Sequence, residues 1–529
     1  MNRRRFMAAS AALAATGTLA RTEADSAQAA AEDTPQFKTQ DAAWQSAYDE
    51  ALSVLAANVQ LLPRYAKPVL IEGAAYQGIW LECGPHESLV YRRFRPDVAR
   101  DSHRCFFALQ RADGQIPCNN KLSGTGFGQI QMVAPIAATA WELAQATGDD
   151  ELLHEAYNAC ARWDAWLQRY RNVRGTGLTE GFCTYDTGQD NSPRWRGIPP
   201  QCPQGDAKRF VAGLGLPRLC PDLSATTYGG RVALAQMAQA LGRATQAARW
   251  QEQAQQLRNL ILQHLYQPQE AAFYDLDASG GYVKIRCDIL SRICGEHVVE
   301  QPTFEHLWSQ QLHNPQAFWA PLPLPSVALD DPLFVRPIPA NSWGGAAQAL
   351  TALRTPRWFD HYGKSAAHAQ LMHNWCEALR RDGSFRQQAD PRTGRFTASG
   401  PPGYSPAALV MIDFTWRLAG MCEAGRQLNW HIRPGHPAAM GARFTLRTDT
   451  KRRAQLVYDS HGADLSLDGR WLGRIEGGAA RLVTGESGAL LALISIDERA
   501  QQLRLLTPGR PVRTLRLEPE ARISLNAWH

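Results

Sequence analysis

The sequence predicts a mainly α protein, a toroid of helical hairpins followed by a small β-sandwich. Three observations predict it. Residues 39 to about 427 show repeated 3.6-residue apolar periodicity broken by short turns. Long loops rich in Pro, Trp, Asp and Asn separate the helix pairs. After Asn429 the texture changes to short alternating runs.

The N-terminus comes first. Arg3-Arg4-Arg5-Phe6-Met7 precedes a mild Ala-rich apolar stretch from Ala8 to Ala20, and Ala27-Gln28-Ala29 has the form of a cleavage site. Residues 1–29 resemble a twin-arginine signal peptide, so the expected location is periplasmic or secreted. The chain has 529 residues, too many for one ordinary domain, with 44% apolar and 20% charged content. Its net charge is +6. Four arginines against Glu23 and Asp25 in the signal leave about +4 for the remainder. That is too weak to suggest a nucleic-acid partner. No later apolar run reaches 18 residues, so no membrane span is expected. The 11 cysteines form no C-x-x-C pair and read as buried apolar residues with one or two bridges at most.

Trp44, Ala47, Tyr48, Ala51 and Leu55 fall on one helical face. Ala137–Ala146 ends at Gly148, and Asp149-Asp150 caps a partner helix carrying Leu153, Tyr157, Cys160, Trp163 and Leu167. Further helices run over 231–241, 246–265, 345–353, 363–379 and 406–418. The intervening loops, 76–88, 113–128, 180–202, 318–345 and 382–405, would meet at one end of a toroid and form a pocket. Seven strands are expected between 442 and 518, with a tight turn at Asp468-Gly469.

The chemistry concentrates in Asp186-Thr-Gly-Gln-Asp190-Asn-Ser-Pro-Arg-Trp195. An Asx-rich surface turn would explain acids there. Carboxyl, guanidinium and indole groups together also suit sugar chemistry, in which an acid protonates a glycosidic oxygen and an indole stacks on the ring. The glycines at 124–128 follow no strand of a nucleotide cradle. His368 and His373 are wrongly spaced for one zinc face, and no metal or cofactor is expected.

The stretch 186–195 resembles E-S-G-x-D-N-S-P-R-W of the inverting glycosidases of the trehalase, family 63 and mannosylglycerate-hydrolase-like group. Ala112-Asp-Gly-Gln-Ile-Pro117 resembles A-D-G-Q-I-P, Asp222-Leu-Ser-Ala225 resembles D-L-N-A, and Phe273-Tyr-Asp275 resembles F-Y-D. Asn341-Ser-Trp-Gly-Gly345 and Asp390-Pro-Arg-Thr-Gly394 match two further loops, so the likeness covers roughly 70–420. It implies an (α/α)6 barrel, over 30–428, and an inverting glycoside hydrolase with a carbohydrate substrate; the short strands predict the β-sandwich over 429–529, and loops converging on a closed pocket favour exo action. The resemblance implies that Asp190 is the general acid. Asp186 is a second acid that could help keep Asp190 protonated, and Asp186, Trp80, Asn191, Arg194, Trp195, Asn341 and Trp343 are the expected sugar contacts. The pattern fails at one point. Gln387, in Phe385-Arg-Gln-Gln-Ala-Asp-Pro391, stands where relatives carry the general base Glu, and an amide cannot take a proton from water. Glu82 and Glu87 are then the candidate bases, followed by Glu180, with Gln387 left as a substrate contact. Substrate assistance and sugar binding without turnover are alternatives. A lyase on an α/α toroid, using Tyr228, Tyr404, His103 and Asn341, is the competing enzyme class. The oligomeric state is not legible.

Overall fold

The computed structural model describes residues 34–339, 341–397 and 401–525. The expected signal segment 1–29 lies outside them. Paired helices follow one another along the chain. Residues Gly84–Tyr91 pair with Pro96–Ala108, Ile136–Thr147 with Asp150–Tyr170, and Pro221–Ala240 with Ala244–His264. Ile289–Gly295 is then followed by Gln301–Leu307, and Ala349–Arg354, across Pro356–Phe359, by Ser365–Asp382. The sixth pair joins the two ends of the helical part, Ser405–Ala419 against Ala42–Ala57. The first members of the pairs meet in a closed ring, with the short helix Pro356–Phe359 bridging Ile289–Gly295 to Ala349–Arg354. This arrangement is consistent with an (α/α)6 barrel.

Local sequence explains the boundaries. Asp41 caps Ala42–Ala57 by accepting from the Trp44 N–H at 2.8 Å, and the expected face buries Trp44, Tyr48, Ala51 and Leu55. Gly148 ends its helix in the left-handed region at φ 64°, and Asp149 accepts from Leu152 at 2.9 Å. The closing pair is stitched by two buried indole bonds. Trp44 Nε1 donates to Thr415 at 3.0 Å, and Trp416 Nε1 donates to the Tyr48 hydroxyl at 2.9 Å.

Besides the four-residue Pro356–Phe359, four helices escaped the periodicity reading: Gly84–Tyr91, Pro96–Ala108, Ile289–Gly295 and Gln301–Leu307. Gly84–Tyr91 buries Gly84, Pro85, His86, Glu87 and Ser88 alike, so it has no polar face for a pattern to reveal. Three of the four are under nine residues, too short for a periodic signal. The helix expected at 231–241 begins a decade earlier, at Pro221, because its inward first turns carry Asp222, Ser224, Thr226 and Thr227 rather than an apolar stripe.

Strands begin at Met421, ahead of the texture change at Asn429. They form two antiparallel sheets. One has seven strands in the order 36–38, 443–447, 453–458, 462–467, 470–476, 501–506 and 513–517. The other has five, in the order 421–424, 427–432, 480–485, 490–495 and 522–524. Strict alternation buries Ala454, Leu456 and Tyr458. Leu456, Leu465 and Ile475 share one cluster with Trp430, Ile432 and Leu482 of the other sheet. Asp468 and Gly469 both take positive φ, 51° and 77°, as a two-residue hairpin turn of this hand requires. The edge strand Gln36–Lys38 comes from the other end of the chain and pairs with Arg443–Thr445. All 11 cysteines are free thiols, buried except for the half-buried Cys422. No described helix is long and apolar enough to cross a membrane.

Candidate active site

Short ladders hold the loops at one end of the ring. Residues 78–80, 119–121 and 124–126 form one small sheet, and 180–181, 218–219, 275–276 and 282–283 form another. Gly124–Gly126 is thus a strand edge rather than a phosphate cradle. The loop carrying Asp190 leaves the second ladder through a 3-10 turn at Thr184–Thr187.

That loop is built around two buried ion clusters. Asp186 is fully enclosed and ion-paired to Arg171, and its oxygens also accept from the backbone of Ile130 at 2.8 Å and Phe182 at 2.7 Å. Arg194 is equally buried, gripped by Asp222 at 2.7 Å and Asp275 at 2.6 Å. Trp195 is 2% exposed, and its Nε1 donates to Thr187 at 2.9 Å. The expectation that Asp186, Arg194 and Trp195 touch sugar therefore gives way to a structural account. Each spends its polar atoms on the loop's own frame. The D-L-N-A-like and F-Y-D-like segments serve the same cluster through Asp222 and Asp275. The indole of Trp343, also 2% exposed, lies in the core under the Arg292 guanidinium, 5.5 Å from its centroid. Its contribution to the site is its backbone N–H, which donates to the Asp190 carbonyl at 3.0 Å.

Asp190 itself is half-buried, and burial pushes its carboxyl up to about 6. Asn341 Nδ2 donates to its Oδ2 at 2.7 Å and partly opposes that rise. Asn341 Oδ1 accepts from Gln387 Nε2 at 3.0 Å, and Gln387 Oε1 accepts from the Tyr76 hydroxyl at 2.9 Å. Gln387 is thus one link in a directed chain, Tyr76 to Gln387 to Asn341 to Asp190. Asn191, exposed, donates to the Asn341 carbonyl at 2.7 Å. The chain is fixed by backbone in the left-handed region at Asn191 (φ 59°), Asn341 (φ 41°) and Phe385 (φ 47°). Asn tolerates that region and Phe does not, so strain is stored beside the acid.

Facing this loop are the acids of the first barrel loop. Glu82 lies against Gly188, where any Cβ would meet Glu82 Oε2 at 1.6 Å, so glycine alone lets the two loops touch. Glu82 is 8% exposed, and its carbonyl accepts from Arg354 at 2.7 Å. Glu72, which no motif flagged, lies alongside. Glu72 Oε1 accepts from the Tyr404 hydroxyl at 3.0 Å and from the Cys83 thiol at 3.2 Å. Glu72, Glu82 and Cys83 bring their potential ligand atoms within 4.8 Å of one another. Burial pushes the Glu72 and Glu82 carboxyls up to about 8 each. Repulsion from Glu87 adds to the rise at Glu72, repulsion from Glu72 adds to that at Glu82, and Asp190 contributes to both. The Arg354 and Arg292 guanidinium groups oppose the rise at Glu82. Glu87 is fully buried behind them, its two oxygens without a hydrogen-bond partner, and burial raises its carboxyl too. It has no surface from which to meet water, so as a candidate base it is displaced by its neighbours. Glu180 accepts from the backbone of Val173 at 2.8 Å and Arg174 at 2.7 Å and caps a turn. Trp80 is half-buried, edge-on to Tyr76 with centroids 5.6 Å apart.

The lyase set does not assemble. His103 is buried on an outer helix, bonded to Thr139 at 3.0 Å, while the Tyr404 hydroxyl is committed to Glu72. His368 is buried against Thr355 at 2.9 Å. In the second cluster of potential metal ligands, Cys183, Asp186 and Cys202, the carboxylate is already taken by Arg171.

One consequence is measurable. Removing the Asn341 donor withdraws support from the Asp190 anion, so Asn341→Leu should shift the alkaline limb of the kcat/KM profile upward by about one pH unit. A limb unmoved in that variant would mean that another group sets it.

The family model of the mannosylglycerate hydrolase MGH1-like glycoside hydrolase domain matches residues 76–416. No curated protein matches the chain. Among solved structures, the family 63 mannosylglycerate hydrolase from Thermus thermophilus, in complex with glucose, is 19% identical with a TM-score of 0.56. The match covers 69% of this chain and 99% of that one. Neutral trehalase from Saccharomyces cerevisiae is 13% identical over 69% of this chain and 79% of its own, with a TM-score of 0.52. The alpha-L-rhamnosidase from Dictyoglumus thermophilum is 11% identical over 93% of this chain and 50% of that one, with a TM-score of 0.50. At such identities the likeness is one of fold.

Proposed function

Because the chain belongs to the mannosylglycerate hydrolase MGH1-like glycoside hydrolase family, and is therefore a glycoside hydrolase, we propose that it is an exported, inverting, exo-acting enzyme that removes a terminal sugar. In this reading Asp190 is the general acid and Glu82 the general base. The observation that carries it is the nearness of two kinds of carboxyl: Asp190, raised to about 6 beside a single side-chain donor, and the crowded pair Glu72 and Glu82, whose rise the charge of Asp190 adds to. Below about pH 6 Asp190 holds the proton that a leaving glycosidic oxygen needs. Glu72 and Glu82 repel each other and both carboxyls are raised to about 8, so Glu82 serves as base only where it ionises ahead of both Glu72 and Asp190. Two guanidinium groups favour the anion on Glu82, whereas the Tyr404 hydroxyl and the Cys83 thiol hold Glu72 in place. Among the described residues no donor is bonded to the Glu82 carboxylate, which leaves it available to a water. An inverting pair of this kind works at about 6.5–9.5 Å, with water on the face opposite the leaving group.

Gln387 supports the same assignment from the other side. Its amide donates to Asn341 and accepts from Tyr76, a direction of bonding that a carboxylate could not reproduce. The position that serves as base in relatives here orients the acid. Convergence of the loops at one end of the ring, held by strand ladders, favours a pocket over an open groove, hence exo action on a terminal residue. Export rests on the twin-arginine-like segment.

The test uses a panel of α- and β-linked mannosyl, glucosyl and rhamnosyl compounds, including mannosylglycerate and trehalose. The first-formed anomer is read by proton NMR, and inversion is expected. Glu82→Gln should lower kcat by about 100-fold or more, and Glu72→Gln should chiefly move the acid limb of the profile. The reverse pattern would transfer the base to Glu72. A chain that binds sugars from the panel yet turns over none would instead be a sugar-binding relative without a base.

A further inference from the structure

A second concave feature lies in the C-terminal sheets, outside every loop discussed above. It is a cleft of about 310 Å³ between strand Arg470–Glu476, the turn at Gly488–Leu490 and residues 505–513. That volume is at the lower end of small-molecule sites. One side is apolar, formed by Leu472, Leu490 and Leu505. Trp471 stands beside them and is 39% exposed, in a protein whose other large aromatics are mostly covered. Its ring is held by its edge: Nε1 donates to Asp464 at 2.9 Å, and Asp464 is itself paired with Arg474 at 2.7 Å. The indole is therefore a positioned platform.

The polar side of the cleft is cationic. Arg470, Arg510 and Arg513 line it, and among the described residues no carboxylate does. Arg470 is anchored through Nη2 to the Ser487 carbonyl at 2.6 Å. A purely structural purpose would pair Arg470 and Arg510 with acids, as Arg474 is paired with Asp459, Asp464 and Glu476 on the neighbouring surface. A positioned indole suits the face of a sugar ring, and guanidinium forks suit carboxylate or sulfate oxygens. We propose that this cleft binds an anionic saccharide, its ring on Trp471 and its acid group on Arg470 and Arg510. The protein would thereby hold itself to an acidic polysaccharide while the barrel acts on a terminal sugar. The inference does not depend on which carboxylates are catalytic.

The test is isothermal calorimetry and gel retardation of the full chain with polygalacturonate, dextran sulfate and neutral dextran. Binding of at least one anionic polymer is expected, weakening as salt rises, and the polymer that binds identifies carboxylate or sulfate as the partner group. Trp471→Ala and Arg510→Gln should each weaken binding about tenfold or more, with hydrolysis of a small substrate unchanged. Thermal unfolding would separate a misfolded variant from one that has lost the site, and Trp471→Phe should retain part of the affinity. Equal binding of neutral dextran, or indifference to both substitutions, would overturn the proposal.

Discussion

Asp190→Asn lowers kcat by about a thousandfold, with KM little changed and the unfolding transition in place. The magnitude is that of removing a positioned general acid. The fold should survive because the substitution is isosteric and spares both contacts that fix the residue. The Asp190 backbone carbonyl still accepts from Trp343, and an amide oxygen still accepts from Asn341. What is lost is the proton that burial holds on the carboxyl up to about pH 6. Substrates with a leaving group that needs no protonation should lose far less. A uniform loss across leaving groups would mean that Asp190 is not the acid.

Arg194→Leu has the opposite signature. It should leave little soluble protein, and whatever folds should be less stable by about 3–5 kcal/mol in urea unfolding, the cost of stripping a buried charge cluster of its partner. Asp222 and Asp275 lose their shared guanidinium, and only Arg292, at 3.1 Å from Asp222, stays to compensate. Asp222 is fully buried, and its carboxyl is held below the usual range because these cations outweigh burial. Without Arg194 that balance tips, and the carboxylates must take up protons or draw in water. Because the Asp222 carboxyl would then titrate higher, the variant should regain stability as pH falls, a trend opposite to ordinary acid denaturation. An Arg194→Leu protein as stable as the parent, with impaired sugar binding, would return this residue to the pocket.

The contrast between these residues shows what a linear sequence can carry. The motif 186–195 was visible as chemistry because acids, arginine and tryptophan are conspicuous together. Its composition did not say which groups face inward. Asp186, Arg194 and Trp195 are buried structural elements, and among the three only three-dimensional partners distinguish a sugar contact from a clamp. Glu72 had no legible signal. It sits in Ile71-Glu72-Gly73, a context shared with countless surface acids, and reaches the site because the chain doubles back to place Cys83 and Tyr404 on it. Gln387 was legible as a departure, but its role depended on bonds to two residues far away in the chain. In the fold, long outer helices with one apolar face announced themselves, as at Trp44–Leu55 and Leu153–Leu167. The short inner helix Gly84–Tyr91 has no polar face and left no period to read. Turn chemistry at Asp468-Gly469 was strictly local and could be read directly.

The pairing of Ala42–Ala57 with Ser405–Ala419 has a consequence for how the molecule is made. A ring whose last hairpin is assembled from its first and last helices has no intermediate length at which it is complete. During synthesis the five internal hairpins can dock in order, while the Trp44 and Tyr48 face waits for Thr415 and Trp416 to appear. The Gln36–Lys38 strand waits longer still, for Arg443–Thr445. Closure is thus a contact of very large sequence separation, the kind that makes folding slow and concerted. Nascent chains halted before residue 405 should remain protease-sensitive throughout their helical part, and resistance should arrive in one step once the ring has its clasp.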